Sequence, residues 1–188
     1  MTRPAFETSR LTLTPATRGD LDVVWTIWRD PDVRRYLFDD EPVTRERAID
    51  VLERTLAPAK DGLGLWLVRV HGDAAVVGAV ALLPVHEAIV ACEARLEGAV
   101  EVVASFLPAV WSLGYATEAL EPLIHHGFTT CGRSELVAVV DVPNEASQRM
   151  VRRLGFTVTG EGAGPRYRMR TYALPATRFP VQRVAAGR

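Results

Sequence analysis

The sequence predicts a mixed α/β fold, one sheet with helices on both faces, and three observations carry that expectation. Period-two and 3.6-residue hydrophobic patterns follow one another in the order β-α-α-β-β-β-α-β-α-β-β. Glycine and proline stand at many of the joints. The 188 residues, 48% hydrophobic and 24% charged, suit one compact domain with a real core. They exclude disordered, collagen-like and disulfide-scaffold chains.

Taken in order, Leu11 and Leu13 alternate with Thr12 and Thr14 as a strand that stops at Pro15. Asp20 caps a helix whose apolar residues Leu21, Val24, Trp25 and Trp28 recur at i, i+3, i+4 and i+7 until Asp30-Pro31 ends the pattern. Thr44 opens a second helix with Ala48, Val51, Leu52 and Leu56 on one face, closed by Pro58. Residues 65–70 and 75–83 are Val/Leu-rich strands joined as a hairpin through His71-Gly72-Asp73, and residues 100–107 form another strand ending at Pro108. A long helix follows Gly114, with Ala116, Ala119, Leu120, Leu123, Ile124 and Phe128 on its inner face. Pro122 inside it lacks a backbone donor and predicts a distorted first turn. After Gly132, residues 136–140 form an apolar strand buried on both faces. Asn144 caps the last helix, Ala146, Met150, Val151 and Leu154 line its inner side, and Gly155 terminates it. Residues 156–159 and 166–174 are closing strands, so residues 1–174 make a single domain and residues 175–188 a tail.

The formal charge is −1, from 22 Lys and Arg against 23 Asp and Glu, so no global field recruits DNA, anionic lipid or acidic substrates. Cys92 and Cys131 are the two cysteines and no basic-then-apolar leader follows Met1, which predicts a cytoplasmic, reduced chain without disulfides. The uncharged residues 74–86 fall short of the ~20 apolar residues a membrane span needs and read as strand.

The most informative segment is Phe106-Leu107-Pro108-Ala109-Val110-Trp111-Ser112-Leu113-Gly114-Tyr115-Ala116-Thr117-Glu118-Ala119. A strand ends, a glycine-bearing loop follows and a helix begins, so backbone N–H groups and the positive helix end converge where an anion could sit. On spacing alone, Gly114 equally well permits only a tight strand-to-helix turn. No Gly-Lys-Ser/Thr follows, which excludes a Walker A loop, and the three spaced glycines of a dinucleotide fingerprint are missing.

Here the sequence resembles the GNAT superfamily of acyl-CoA-dependent N-acyltransferases, in particular its ribosomal-protein N-terminal acetyltransferase branch. Thr8-Ser9-Arg10-Leu11-Thr12-Leu13 and Asp30-Pro31-Asp32-Val33 with Tyr36-Leu37 are similar to the opening strand and first-helix exit of that branch. Trp111 to Leu120 is similar to its coenzyme A pyrophosphate loop, and Asn144-Glu145-Ala146-Ser147 with Arg153-Leu154-Gly155-Phe156 to its Asn-x-x-Ser helix and Leu-Gly-Phe exit. The resemblance spans most of the chain and implies a mixed, mostly antiparallel sheet of about seven strands, with acetyl-CoA as co-substrate and no metal. It implies that the amides of Ser112, Leu113, Gly114, Tyr115, Ala116 and Thr117 hold the pyrophosphate, and that Phe106 and Leu107 pair with pantetheine through the main chain. Ser112 and Leu113 depart from the Gly and basic residue more frequent in the branch. Because the binding groups are main-chain, only the strength of phosphate binding depends on them.

Attack of a neutral amine on a thioester needs a base, a polarised carbonyl and a proton for the thiolate. The resemblance implies Ser147 as the thiolate's hydrogen-bond donor and Asn144 as a pantetheine or cap contact; Asn144 reads equally as a plain N-cap and Ser147 as an ordinary first-turn serine. Glu101 is the base that the resemblance suggests, and a salt-bridged strand residue otherwise. Glu87, Glu93, Glu97, His71 and His86 lie in the region that usually borders the acceptor pocket, without distinguishing spacing. His125-His126 cannot share a helix face and make poor metal ligands, and Cys131 lacks a partner set for a catalytic thiol. Arg166, Arg168 and Arg170 alternate along a strand, a row that suits an acidic acceptor or phosphate but more often a solvated face or dimer contact. Trp25, Trp28, Tyr36 and Phe38 could wall an acceptor pocket, with helical spacing placing the two tryptophans in the core first.

The expected function is acetyl transfer from acetyl-CoA to the primary amine of a protein N-terminus or small molecule, by a monomer or homodimer. A catalytically silent acyl-CoA sensor or interaction module is the alternative. A structural domain whose glycine turn is only a turn is the reading from another class.

Overall fold

The computed structural model describes residues 3–179. Its elements are β1 (Phe6–Glu7), β2 (Leu11–Pro15), α1 (Leu21–Trp28), α2 (Pro31–Leu37), α3 (Arg45–Leu56), β3 (Gly64–Val70), β4 (Val76–Pro84), α4 (Glu87–Cys92), β5 (Val100–Phe106), α5 (Tyr115–Thr129), β6 (Glu135–Asp141), α6 (Glu145–Arg153), β7 (Thr157–Ala163) and β8 (Arg168–Pro175). The strands form one sheet in the order β1-β2-β3-β4-β5-β6-β8-β7. Every pairing is antiparallel except β5 with β6. The mixed, mostly antiparallel α/β sheet is as expected, with eight strands rather than about seven.

Alternation along the strands assigns the two faces. Leu65 and Leu67 of β3 pack with Val24, Ile27, Trp28, Ala48 and Leu52 of α1 and α3. Trp66 and Val68, pointing the other way, pack with Leu120, Leu123 and Ile124 of α5 and Val151 of α6. Each of these fully buried aliphatic side chains contributes about 1.5–3 kcal/mol. Gly78 permits one close approach: a Cβ there would stand 2.4 Å from the Phe106 ring, which lies over the bare glycine backbone of β4.

Several local expectations are refined. The first helix ends before Asp30-Pro31 as expected, but the same pair also starts an unexpected helix, α2: the Asp30 carboxylate accepts from the Asp32 and Val33 amides, and Pro31 occupies the first turn, where a missing N–H costs nothing. Asp20 occupies the N-cap position of α1, but its side chain makes no cap bond there; its carboxylate reaches back to the N–H and hydroxyl of Thr17, both at 2.8 Å. Helix α5 runs unbroken through Pro122, and its first bond, Glu118 N–H to Gly114 O, is intact at 3.1 Å. The tail boundary also moves. Ala176 N–H bonds to Ser134 O, and Phe179 packs 5.6 Å from the Phe128 ring, so the fold continues past residue 174. The remainder of the expected tail, residues 180–188, lies outside the described residues.

Candidate active site

Strands β5 and β6 touch at a single pair, Glu101 with Val137, and diverge beyond it. Glu101 marks the fork. Its carboxylate accepts the Val139 N–H at 3.2 Å, the first amide that the divergence deprives of a strand partner. Burial pushes the Glu101 carboxyl up to about 7, against the opposing effect of that hydrogen bond. Between the diverging strands opens a cavity of about 780 Å³, lined by β5, the 111–117 loop, the end of β6, the start of α6, and Tyr36 and Asp39 beyond α2's core-facing side.

One wall is main chain. Leu107 N–H donates to Val77 O and Ala99 O accepts from Val85 N–H, so the odd-numbered residues of β5 turn their peptide groups toward β4. Alternation leaves those of Ala104 and Phe106 facing the cavity. This corrects the expectation for Leu107, whose amide is spent inside the sheet. The Phe106 carbonyl already accepts Trp111 Nε1–H at 2.6 Å.

Past β5 the chain turns into α5 through two left-handed residues, Ser112 at φ 64° and Gly114 at φ 82°. The positive φ explains why glycine suits position 112, where serine bears backbone strain of about 1–3 kcal/mol. The amides of Tyr115, Ala116 and Thr117 precede the first intrahelical bond and have no partner within the helix. With Ser112 and Gly114 they line the cavity, giving it the positive end of a 15-residue helix. Leu113 instead exposes half its surface. Arg10 bonds the Leu113 carbonyl and the Glu118 carboxylate from outside the loop, contacts that no local pattern announces.

The opposite end is built from side chains. Asn144 Oδ1 accepts the Ser147 N–H at 3.1 Å, so Asn144 caps α6 while Ser147 lines the cavity in its first turn. Asp141, at the end of β6, is pushed up to about 6 by burial and by the neighbouring charge of Asp39, with Arg166 opposing. The Tyr36 hydroxyl reaches the Pro143 carbonyl at 3.5 Å, and its ring lies 6.0 Å from that of Tyr167, tilted at 52°. Arg166 ties this end together, 3.0 Å from the Asp40 carboxylate and 2.8 Å from the Asp39 carbonyl.

The arginine row is therefore not an open anion site. Arg166 precedes β8 and pairs with Asp40, and Arg168 and Arg170 both pair with Glu161 of the adjacent strand. Trp28 and Phe38 are buried in the core, and the Trp25 indole donates to Val43 O, leaving Tyr36 as the cavity aromatic of that group. His86 lines the cavity and caps α4 through Nδ1, whereas His71 pairs with Glu7 at the hairpin and Glu93 with Arg95. His126 is buried against the Gly62 carbonyl, 2.9 Å away. Among the described residues no three His, Cys, Asp or Glu side chains cluster as a metal site, and no helix is long and apolar enough to cross a membrane. Asp39 and Asp141 escaped the sequence reading; their only signal was an acidic residue at the exit of a helix and at the end of an apolar strand.

A family model described as an acetyltransferase (GNAT) domain matches residues 10–157. An uncharacterised N-acetyltransferase, YoaA of Bacillus subtilis, is 27% identical over 158 residues, covering 84% of this chain and 85% of that protein. Two solved structures share the fold. Spermidine N-acetyltransferase from Vibrio cholerae, in complex with CoA and spermine, has a TM-score of 0.71 at 16% identity, covering 90% of this chain and 98% of its own. RimL, a ribosomal L7/L12 alpha-N-protein acetyltransferase in complex with coenzyme A, has a TM-score of 0.72 at 15% identity, covering 92% and 98%. Since the matched family spans most of its length, the chain belongs to the GNAT acetyltransferases and is an acyl-CoA-dependent N-acetyltransferase with acetyl-CoA as co-substrate.

Proposed function

We propose that the protein acetylates a primary amine by direct attack within a ternary complex, with acetyl-CoA in the main-chain half of the cleft and the amine in the carboxylate half. The observation that carries this reading is Glu101, a partly buried residue at the fork of β5 and β6 whose carboxyl is bonded to Val139 N–H and raised by desolvation to about 7. The amides of Ser112 and Gly114 to Thr117 bind the pyrophosphate, and the cavity-facing peptide groups of Ala104 and the N–H of Phe106, whose carbonyl already accepts from Trp111, align pantetheine as an added strand would. An amine arriving as ammonium is attracted by Asp39 and Asp141, and Glu101 takes its proton directly or through water. The freed nitrogen lone pair forms the C–N bond to the thioester carbonyl carbon. As the C–S bond breaks, the Ser147 hydroxyl donates a hydrogen bond to the departing thiolate sulfur, and the second proton of the attacking nitrogen passes to that sulfur, leaving the neutral amide and the free coenzyme thiol.

The acceptor is a protein N-terminus or a small-molecule amine. The two solved relatives named for spermidine and for the N-terminus of ribosomal L7/L12 support both kinds on this fold. Thermal unfolding with and without acetyl-CoA, followed by thiol release across a panel of polyamines and N-terminal peptides, tests the reading. Stabilisation by acetyl-CoA with turnover of at least one amine supports it. Stabilisation without turnover of any amine favours a silent sensor, and no stabilisation at millimolar acetyl-CoA overturns coenzyme binding.

A further inference from the structure

Glu118, in the first turn of α5, receives four hydrogen bonds and an ion pair from a segment more than a hundred residues away. Its Oε1 accepts Thr8 Oγ1–H at 2.7 Å, Ser9 Oγ–H at 2.9 Å and Arg10 N–H at 2.9 Å. Its Oε2 accepts Arg10 Nε–H at 2.6 Å and lies 2.6 Å from Arg10 Nη2 in the ion pair. Burial alone would raise this carboxyl, but the bonds from Thr8, Arg10 and Ser9 hold it down to about 2. The same guanidinium donates from Nη1 to the Leu113 carbonyl at 3.0 Å and lies 4.7 Å from the Tyr115 ring centroid. Leu113 O belongs to the peptide unit between the two left-handed residues, Ser112 and Gly114. A trans peptide is planar, so its carbonyl and the following N–H point in opposite directions. Drawing Leu113 O toward Arg10 thereby turns the Gly114 N–H away from Arg10, and Gly114 lines the cavity.

We infer that Glu118 and Arg10 are positioning residues for the coenzyme: they fix the Leu113–Gly114 peptide so that the loop's amides face the pyrophosphate. The inference rests on the acetyl-CoA site proposed above. It makes a prediction of unusual sign. Glu118 is a negative charge beside an anion site, so simple electrostatics has its neutralisation tighten coenzyme binding. The clamp requires the opposite, because without the Glu118 carboxylate Arg10 keeps only its bond to the Leu113 carbonyl and its contact with the Tyr115 ring to hold it against the loop.

The test is the Kd of the full chain for acetyl-CoA by calorimetry, with steady-state kinetics, for the wild type, Glu118→Gln, Arg10→Met and the double variant. Each single change is expected to raise Kd and the acetyl-CoA KM about tenfold, as loss of a charge-assisted bond would. The double variant is expected to be no weaker than the weaker single one, because the two residues act as a unit. The kcat at saturating acetyl-CoA and the KM for the amine should stay within about twofold, a split that general destabilisation would not give. Melting temperature without ligand identifies any variant that fails to fold; Arg10→Met then reads the same contact if Glu118→Gln is lost. A Glu118→Gln protein that binds acetyl-CoA as tightly as wild type or more tightly overturns the clamp. A wild-type chain that does not bind acetyl-CoA overturns the site reading beneath it instead.

Discussion

The two ends of the cleft are made of different material. The proposed pyrophosphate end is main chain: amides of Ser112 and Gly114 to Thr117, set by two left-handed residues and backed by Arg10. The proposed acceptor end is side chain: Glu101, Asp39, Asp141, Tyr36 and Ser147. Peptide groups tolerate changes of side chain and fail when the backbone conformation becomes inaccessible. Carboxylates fail one atom at a time. Substitutions should therefore sort by end, in size and in the kinetic constant they move.

The largest effect belongs to Glu101→Gln. The amide keeps an acceptor for Val139 N–H but cannot take a proton, so kcat/KM for the amine should fall about 10²–10⁴-fold with acetyl-CoA affinity preserved. In the wild type, kcat/KM for the amine should rise with pH through about 7 as Glu101 ionises. The same raised carboxyl costs stability as it ionises. Its contribution is fully present below the unfolded value near 4.5 and is lost as pH rises through about 7. Glu101→Gln should therefore gain melting temperature over wild type at pH 8 and lose that gain by pH 4. An equal melting difference at both pH values contradicts the raised carboxyl.

Next is Gly114→Val at the other end. A β-branched residue at φ 82° carries strain of about 1–3 kcal/mol, so acetyl-CoA binding should weaken about tenfold or more in calorimetry while the amine KM holds. If instead kcat falls at unchanged acetyl-CoA affinity, the two ends are not separable. Ser147→Ala is milder. Loss of one neutral hydrogen bond to the thiolate should lower kcat a few-fold, read as single-turnover thiol release, and leave both KM values in place. The smallest effect is Leu113→Lys: an exposed cation near the loop should tighten acetyl-CoA by about twofold at low salt and not at high salt.

The same contrast separates what could be read from the sequence. Helices and strands with a full hydrophobic period were legible, as were the loop and the Asn144–Ser147 turn, because each announces itself within a few residues. Strand β1 is two residues long and too short to show alternation. Helix α2 was hidden because Asp-Pro both ends one helix and begins another, and only the Asp30 cap bonds decide which. Whether Phe106 or Leu107 faces the cleft depends on the register against β4, a non-local quantity. Glu118 with Arg10, and Asp141 with Asp39, are pairs made by the fold across about a hundred residues of chain; their charges are visible in the sequence and their proximity is not.

The fork between β5 and β6 has one more consequence. A sheet that parts in its middle has two interior edges, each with unpaired amides and carbonyls of the kind that elsewhere recruit foreign strands. In the proposed complex, the pantetheine arm covers one of those edges. Empty protein should then exchange the amide hydrogens of Ala104 and Phe106 fastest within β5 and be the form that aggregates on storage, so that the cell's coenzyme supply would also act as the chaperone of this enzyme.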